Sequence, residues 1–292
     1  MNRFKFLSNK RIVLDSKKLI PFNNNLFLGK NILITGGGTG LGKQMAKTYL
    51  DLGANVMIAS RKTDVLKKTC DELGNKNIFY QQLDVKNHDS ITQFVNNLEI
   101  TPDVVINNAA GNFICPSKNL TYNGWNSIID IVLKGTIDLT LQLGKKMIKE
   151  EKPGNFLNIS TTYAQTGSGF VLPSAIAKAG CDNLTKSLAS EWGKYGIRLN
   201  SIAPGPIYTE GAFTRLDPTG EFRKKAEDKL PSGRLGEPNE LANLVCFVTS
   251  DYMNWMTGQI INLDGGEVVG NSGEFNFLRN ISDTQWKIFS KI

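Results

Sequence analysis

Residues 35–42 read TGGGTGLG and directly follow a short apolar run at 31–34. Gly36, Gly40 and Gly42 would allow a tight turn, close approach of a diphosphate and close packing of the next helix. The free N–H groups at the start of that helix would then face the phosphates. Glycines alone are a weak signal, because any tight turn can carry them. Their place after the first strand of a β-α-β unit predicts a dinucleotide site.

The next apolar run ends in Ala59-Ser60-Arg61-Lys62. Enzymes that use NAD usually have an acidic residue here, which binds the ribose 2′-hydroxyl. Two cations and a hydroxyl suit a 2′-phosphate instead. The sequence therefore favours NADP over NAD, the alternative being that Arg61 and Lys62 are solvated surface charges.

Ser174 and Lys178 are one helical turn apart in PSAIAKAG, residues 173–180, and would share a helix face. A phenol, Tyr163, stands eleven residues before Ser174, just past the apolar run NFLNISTT. The end of that strand and the helix of Lys178 would both border the ligand crevice of an α/β sheet. Tyr163 could therefore reach the space around Lys178. The alternatives are a packed loop aromatic for Tyr163 and a helix-surface serine for Ser174.

Apolar runs alternate with helical patterns along the chain, which implies parallel strands joined by right-handed crossovers. We predict strands at 31–37, 54–61, 77–85, 103–110, 155–162, 197–205 and 258–266, and helices at 42–53, 63–74 and 89–98. The expected fold class is α/β, a single-domain doubly wound parallel sheet of the Rossmann type with helices on both faces. No repeat or linker interrupts the chain after the leader, so the domain should span residues 26–292.

The net charge of +7 is concentrated in residues 1–25, which hold six basic residues and one acidic residue. The rest of the chain is nearly neutral, which argues against a nucleic-acid-binding surface. The leader lacks the long apolar centre of a secretory signal and is typical of a mitochondrial presequence, the alternative being a flexible basic tail. A peroxisomal address is the second expectation, because the chain ends Ser290-Lys291-Ile292, one residue away from Ser-Lys-Leu.

Other classes of site find little support. No run of 18 apolar residues predicts a membrane span. The four cysteines are far apart and suggest neither a metal site nor a disulfide framework. His88, the single histidine, stands in a polar stretch, so we expect a surface residue rather than part of a Ser-His-Asp or metal site.

The glycine spacing, the segment NNAAG (107–111) and the later Pro-Gly at 204–205 together resemble the short-chain dehydrogenase/reductase family over roughly residues 29–270. That family normally works with Asn, Ser, Tyr and Lys. Lys178 matches, whereas the family's serine, tyrosine and helix-asparagine positions read Thr161, Ser174 and Val132. Without the phenol at 174, ordinary carbonyl reduction is in doubt.

Longer stretches are similar to one branch, the mitochondrial-type 2,4-dienoyl-CoA reductases. They are NNAAGNF (107–113), TYAQTGSGF (162–170), PGPIYTEGAFTRLDPTG (204–220), GRLGEPNELANL (233–244) and SGEFNFLR (272–279). The resemblance implies NADPH-dependent reduction of 2,4-dienoyl-CoA to trans-3-enoyl-CoA in the β-oxidation of unsaturated fatty acids. It also implies a homotetramer and a site made of Tyr163, Lys178 and Asn112.

The resemblance further implies two sets of ligand contacts. NADP contacts are expected at Gly36, Gly37, Gly38, Thr39, Gly40, Leu41, Arg61, Asp84, Lys178, Pro204, Gly205, Pro206 and Ile207. Acyl-CoA contacts are expected at Arg61, Lys86, Asn112, Phe113, Thr121, Tyr163 and Arg215.

Dienoyl reduction would suit the altered site. Hydride reaches a distant carbon, and negative charge moves onto the thioester oxygen, which needs hydrogen-bond donors where the charge develops. Tyr163 and Asn112 could be those donors, while the proton ends on carbon and could come from water. Lys178 would hold the nicotinamide ribose, and Ser174 could bond to the cofactor or to Lys178.

Two other functions stay open. One is a related NADPH reductase that acts on another enoyl thioester or on a carbonyl. The other is a non-catalytic NADP-binding protein, which the displaced tyrosine would suit. The joint presence of Lys178, Tyr163 and Asn112 argues against the second.

Overall fold

A computed structural model describes residues 23–209 and 221–289. Its sheet has seven strands, all paired in parallel, in the order β3-β2-β1-β4-β5-β6-β7. The strands are β1 Asn31–Thr35, β2 Asn55–Ser60, β3 Ile78–Gln82, β4 Val104–Asn107, β5 Gly154–Ile159, β6 Ile197–Pro204 and β7 Ile260–Leu263. The predicted single-domain, doubly wound parallel sheet is confirmed.

The helices fill the crossovers between strands. They are α1 Gly40–Asp51, α2 Thr63–Leu73, α3 His88–Asn96, α4 Tyr122–Ile129, α5 Gly135–Lys149, α6 Tyr163–Thr166, α7 Leu172–Trp192, α8 Glu221–Lys229, α9 Pro238–Thr249, α10 Glu267–Ser272 and α11 Asp283–Phe289. A π-helical turn, Asp130–Lys134, joins α4 to α5. Short 3₁₀ turns occur at Ser117–Asn119, Gly193–Tyr195, Asp251–Met253 and Asn276–Asn280.

Each face of the sheet is covered by helices. On one face, α1 and α9 place residues such as Met45 and Val245 in a buried apolar cluster against the strands. On the other face, α3, α5 and α7 contribute Phe94, Leu143 and Leu188 to a second cluster. Because both faces are buried, the strands read as nearly continuous apolar runs.

The strand order reverses between β1 and β4, which are neighbours although two strands separate them along the chain. In open α/β sheets, ligands bind at such a switch point, beyond the carboxyl ends of the strands. The carboxyl ends of all seven strands lie on one edge, because every pair is parallel. The fold therefore brings the loops after β1, β2, β4 and β5 together.

Several strands end earlier than the sequence predicted, always at this edge. Predicted strands 31–37, 103–110 and 155–162 end at Thr35, Asn107 and Ile159. After β1, Gly36 turns to a φ of +66°. After β5, Thr162 already has helical backbone angles. The apolar signal ran past each strand because the first residues of the turns are also packed.

The predicted leader 1–25 and the C-terminal Ser290-Lys291-Ile292 lie almost wholly outside the described residues. The described part begins with turns in which Phe27 is buried, its ring 4.9 Å from that of Tyr49 in an edge-on arrangement. Within residues 23–209 and 221–289, no helix has both the length and the apolar character that a membrane crossing requires. The same residues contain no group of His, Cys, Asp and Glu side chains suited to a metal ion.

Candidate active site

The glycine loop between β1 and α1 closes tightly over the end of the sheet. Gly36 has a φ of +66°, a conformation that glycine adopts at little cost. A Cβ atom at Gly42 would overlap the carbonyl oxygen of Gly36, so no larger residue fits there. Thr39 precedes α1 without capping it through its side chain, which leaves the first N–H groups of the helix available. This cradle fits the diphosphate of a dinucleotide.

Asn108, just after β4, fixes the glycine loop from the neighbouring strand. Its side-chain amide donates to the carbonyl oxygens of Thr35 and Gly36 over 3.0 and 3.2 Å. The Thr35 hydroxyl in turn accepts from the backbone N–H groups of Asn108 and Ala109, each over 3.0 Å. The motif NNAAG therefore braces the cofactor loop, a role that the sequence alone did not reveal.

The other predicted cofactor residues lie along the same edge. Arg61 is exposed just after β2, and Asp84 follows β3, where its carboxylate accepts from the backbone N–H of Lys86 over 3.0 Å. Pro204 is the last residue of β6, and the loop after it reaches the buried Ile207. The structure thus places these positions at the same edge of the sheet as the glycine loop.

Three predicted site residues meet in one chain of hydrogen bonds. The Asn112 side-chain amide donates to the Tyr163 hydroxyl over 3.2 Å. The Tyr163 hydroxyl lies 3.1 Å from the Ser174 hydroxyl, and either oxygen can be the donor. Ser174 is only 2% exposed, so the alternative of a helix-surface serine is wrong. Its partner is Tyr163. The Tyr163 phenol thus lies next to position 174, where the family normally has a tyrosine and this chain has a serine.

Lys178 lies one turn of α7 beyond Ser174 and is 8% exposed. Its ammonium group donates to the backbone carbonyl oxygen of Ile159 at the end of β5. Burial lowers the pKa of Lys178, while the nearby Cys181 and Asp182 raise it. Asp182 is also buried, and burial raises the pKa of its carboxyl group. A buried cation with few partners is well placed to bind hydroxyl groups of a ligand.

The position of the family's helix asparagine is apolar. Val132 is fully buried in the π-helical turn, and its carbonyl oxygen accepts from the Cys181 thiol over 3.2 Å. A valine side chain can neither donate nor accept a hydrogen bond, so the polar group that the family normally has at this position is missing here. π-helical turns are frequent at functional sites, and this one faces the helix that carries Lys178.

The loop that carries Tyr163 is anchored to the C-terminal part of the chain. The Thr162 hydroxyl donates to the Glu267 carboxylate at the start of α10 over 2.8 Å. The Gln165 amide donates to the Asn262 side chain in β7 over 2.8 Å. Burial raises the pKa of Glu267. These partners could not be predicted from the sequence, because about a hundred residues separate the two members of each pair.

The predicted acyl-CoA residues differ in their exposure and in their contacts. Lys86 is exposed beyond β3, and Phe113 packs partly buried against the apolar cluster of α4. Thr121 caps α4, its hydroxyl accepting from the backbone N–H of Gly124 over 3.1 Å. Arg215 lies outside the described residues. Thr121 therefore has a structural role whatever else it binds.

Residues outside the site agree with the sequence analysis. His88 is exposed, and its Nδ1 lies 2.7 Å from the Asp138 carboxylate. All four cysteines are free thiols.

A sequence model of the family described as enoyl-(acyl carrier protein) reductase matches residues 36–267. An uncharacterised oxidoreductase of Caenorhabditis elegans is 48% identical over 94% of this chain and 90% of its own. A protein of the same organism named probable 2,4-dienoyl-CoA reductase, (3E)-enoyl-CoA-producing, is 41% identical over 93% of each chain. A peroxisomal 2,4-dienoyl-CoA reductase of Danio rerio is 30% identical over 89% of this chain and 88% of its own.

Solved structures agree with this relationship. A short chain dehydrogenase of Bacillus anthracis aligns with a TM-score of 0.75 at 40% identity, covering 82% of this chain and 96% of that one. A Beutenbergia cavernae protein described as an NAD(P)-dependent gluconate 5-dehydrogenase, with NADP bound at low occupancy, aligns with a TM-score of 0.79 at 25% identity, covering 84% and 99%. Several of its relatives are named 2,4-dienoyl-CoA reductase. The chain therefore belongs to the short-chain dehydrogenase/reductase family of NAD(P)-binding oxidoreductases.

Proposed function

We propose that this protein is an NADPH-dependent 2,4-dienoyl-CoA reductase that forms trans-3-enoyl-CoA. The observation that carries the proposal is the hydrogen-bonded contact of Asn112, Tyr163 and Ser174 beside the buried Lys178. The relatives named 2,4-dienoyl-CoA reductase support the same substrate class.

The cofactor would lie across the glycine cradle, with Arg61 at its 2′-phosphate and Lys178 at its nicotinamide ribose. Bound NADPH would supply a hydride. The fully packed glycine turn and the free first turn of α1 fit the diphosphate. The exposed Arg61, with no acidic residue at the end of β2, fits a phosphate better than a ribose hydroxyl.

The residues of this chain would then stabilise charge on the substrate. Reduction of a dienoyl thioester moves negative charge onto the thioester oxygen, as a dienolate. The Tyr163 hydroxyl and the Asn112 amide are donors close enough to bind one such oxygen together, which lowers the barrier without transferring a proton. The proton ends on carbon and would come from water. Ser174 therefore does not need to act as an acid.

Substrate comparison tests the proposal. NADPH consumption is measured with 2,4-hexadienoyl-CoA, 2-hexenoyl-CoA and a plain ketone, and the product is analysed for the position of its double bond. We expect the dienoyl thioester to be strongly preferred and to give the 3-enoyl product. Preference for 2-hexenoyl-CoA or the ketone would favour the related reductase instead. Failure of every substrate together with tight NADPH binding would favour a non-catalytic protein.

Arg61→Glu should weaken NADPH binding far more than NADH binding. A glutamate would repel the 2′-phosphate and could accept a hydrogen bond from the ribose hydroxyl of NADH. Loss of a charge-assisted contact corresponds to roughly ten- to a hundredfold in the NADPH dissociation constant. The measurement is a titration with both cofactors, and Lys76→Glu, at the opposite edge of the sheet, is the control. Equal weakening of both cofactors would remove Arg61 from this role.

We further propose auxiliary β-oxidation of unsaturated fatty acids as the pathway and a homotetramer as the assembly. The basic leader favours mitochondria. The peroxisomal name of the Danio rerio relative supports the alternative that the C-terminal Ser-Lys-Ile suggests. Cell fractionation with either end of the chain removed would decide between the two compartments.

A further inference from the structure

Phe170 has a backbone conformation that phenylalanine rarely adopts. Its φ is +69°, and among the described residues only Glu151 is another non-glycine residue with positive φ. A bulky residue in this region is strained, whereas glycine is not. The same loop holds glycines at 167 and 169, where a Cβ atom would meet nothing within 4 Å. Gly167 also has a positive φ, +73°, but there the residue is glycine, whereas Phe170 carries a bulky side chain in this strained region.

Packing against the described residues does not explain this choice. The Phe170 side chain is 62% exposed. Its carbonyl oxygen accepts from the backbone N–H of Cys115 over 2.8 Å, but any residue could provide that oxygen. A strained residue whose side chain is exposed suggests contact with something outside the folded chain.

Phe170 lies close to the candidate active site. The bond to Cys115 joins segment 112–115 to segment 170–174, and the same two segments meet at the Tyr163 hydroxyl through Asn112 and Ser174. Phe170 is four residues from Ser174, so its backbone lies within roughly 14 Å of that residue.

Two further apolar side chains are exposed on these segments. Ile114 is 59% exposed, and Leu172 at the start of α7 is also exposed. Along both segments, the polar groups near Tyr163 are thus next to exposed apolar side chains. We call these side chains, Phe170, Ile114 and Leu172, the apolar rim. A ligand that is polar at one end and aliphatic at the other matches this order.

We propose that Phe170, together with Ile114, binds the aliphatic part of the acyl chain and sets the preference for chain length. This inference rests on the proposed function, because it places the thioester oxygen at Tyr163 and Asn112. The alternative partner of the rim, a second copy of the chain, is an outcome of the test.

Phe170→Gly is the decisive variant, because it removes the side chain and the backbone strain together. Its melting temperature should equal or exceed that of the wild type. Each buried methylene contributes about fourfold to affinity, so loss of contact with two methylenes should lower kcat/KM roughly fifteenfold. That loss is expected for 2,4-decadienoyl-CoA, with a loss of at most about twofold for 2,4-hexadienoyl-CoA. Ile114→Ala should also lower the ratio of kcat/KM for 2,4-decadienoyl-CoA to kcat/KM for 2,4-hexadienoyl-CoA. Tyr252→Ala, at an exposed aromatic residue after α9, should not change this ratio.

Binding of saturated acyl-CoA separates this inference from the proposed function. Calorimetry with decanoyl-CoA, hexanoyl-CoA and free CoA needs no turnover. If the wild type reduces no dienoyl-CoA but Phe170→Gly still loses affinity for decanoyl-CoA alone, the inference survives and the proposed reaction fails. Equal losses for all three ligands, or an unchanged ratio of decanoyl-CoA to hexanoyl-CoA affinity, would overturn it. A change of assembly state in sedimentation would assign Phe170 to a subunit contact instead.

Discussion

Tyr163→Phe is expected to slow the chemical step by roughly 10²–10³-fold, while NADPH affinity barely changes. The substitution removes one hydroxyl and little volume. In the proposed reaction that hydroxyl binds the developing charge on the thioester oxygen, and loss of one such donor costs about 3–4 kcal/mol of barrier. Single-turnover rates with 2,4-hexadienoyl-CoA, together with an NADPH titration, measure both quantities.

Ser174→Ala is the matched control for this prediction. Ser174 contacts the Tyr163 hydroxyl but not, in this mechanism, the proton that is transferred. Its loss should therefore slow turnover much less than the loss of the phenol. Near-normal turnover in Tyr163→Phe combined with lost turnover in Ser174→Ala would place the acid at position 174 and refute the mechanism.

Lys178→Met should lower kcat/KM by roughly 10³-fold and weaken NADPH binding at least tenfold. The ammonium group is buried at the end of β5 and is the cation proposed to hold the nicotinamide ribose. Methionine keeps the length of the side chain but offers no donor. Lys145→Met, an exposed position on α5, is the control.

The same variant should not lower the free energy of unfolding of the cofactor-free protein at pH 7. Burial lowers the pKa of Lys178 below its ordinary 10.5, so the charged form costs the folded state stability at neutral pH. The cost fades as pH rises from the folded pKa towards 10.5, because the unfolded chain then binds more protons than the folded one. Any gain in the free energy of unfolding from Lys178→Met should therefore shrink with rising pH in denaturant titrations.

Normal NADPH affinity in the Lys178→Met variant would show that Lys178 does not touch the cofactor.

The fold could be predicted because its signals are local and repeated. Each strand is a short apolar run, each crossover has helical spacing, and the glycine turn identifies β1. The ends of the strands could not be placed to the residue, since the backbone turns at Gly36 and at Thr162, inside stretches that the sequence pattern assigned to strands.

The site was predictable in part, for reasons that concern distance along the chain. Ser174 and Lys178 share a helix, and Tyr163 follows a strand that the topology brings to the same edge. The contact of Ser174 with Tyr163 depends on the conformation of the loop between them, which helical or strand spacing does not predict. The bracing by Asn108 and the anchor at Glu267 depend on pairs more than seventy residues apart, for which helical or strand spacing gives no signal.

The anchor of the tyrosine loop has a consequence for the newly made chain. Thr162 and Glu267 are separated by 105 residues, so at 5–20 residues per second the ribosome adds Glu267 roughly 5–20 s after Thr162. Asn262 in β7, the last strand of the sheet, is added only shortly before it. Until then the segment of Tyr163 lacks both side-chain anchors, although the residues of the glycine cradle and of the first six strands have already been added. The residues of the dinucleotide cradle are thus synthesised well before the residues that hold the proposed catalytic tyrosine in place.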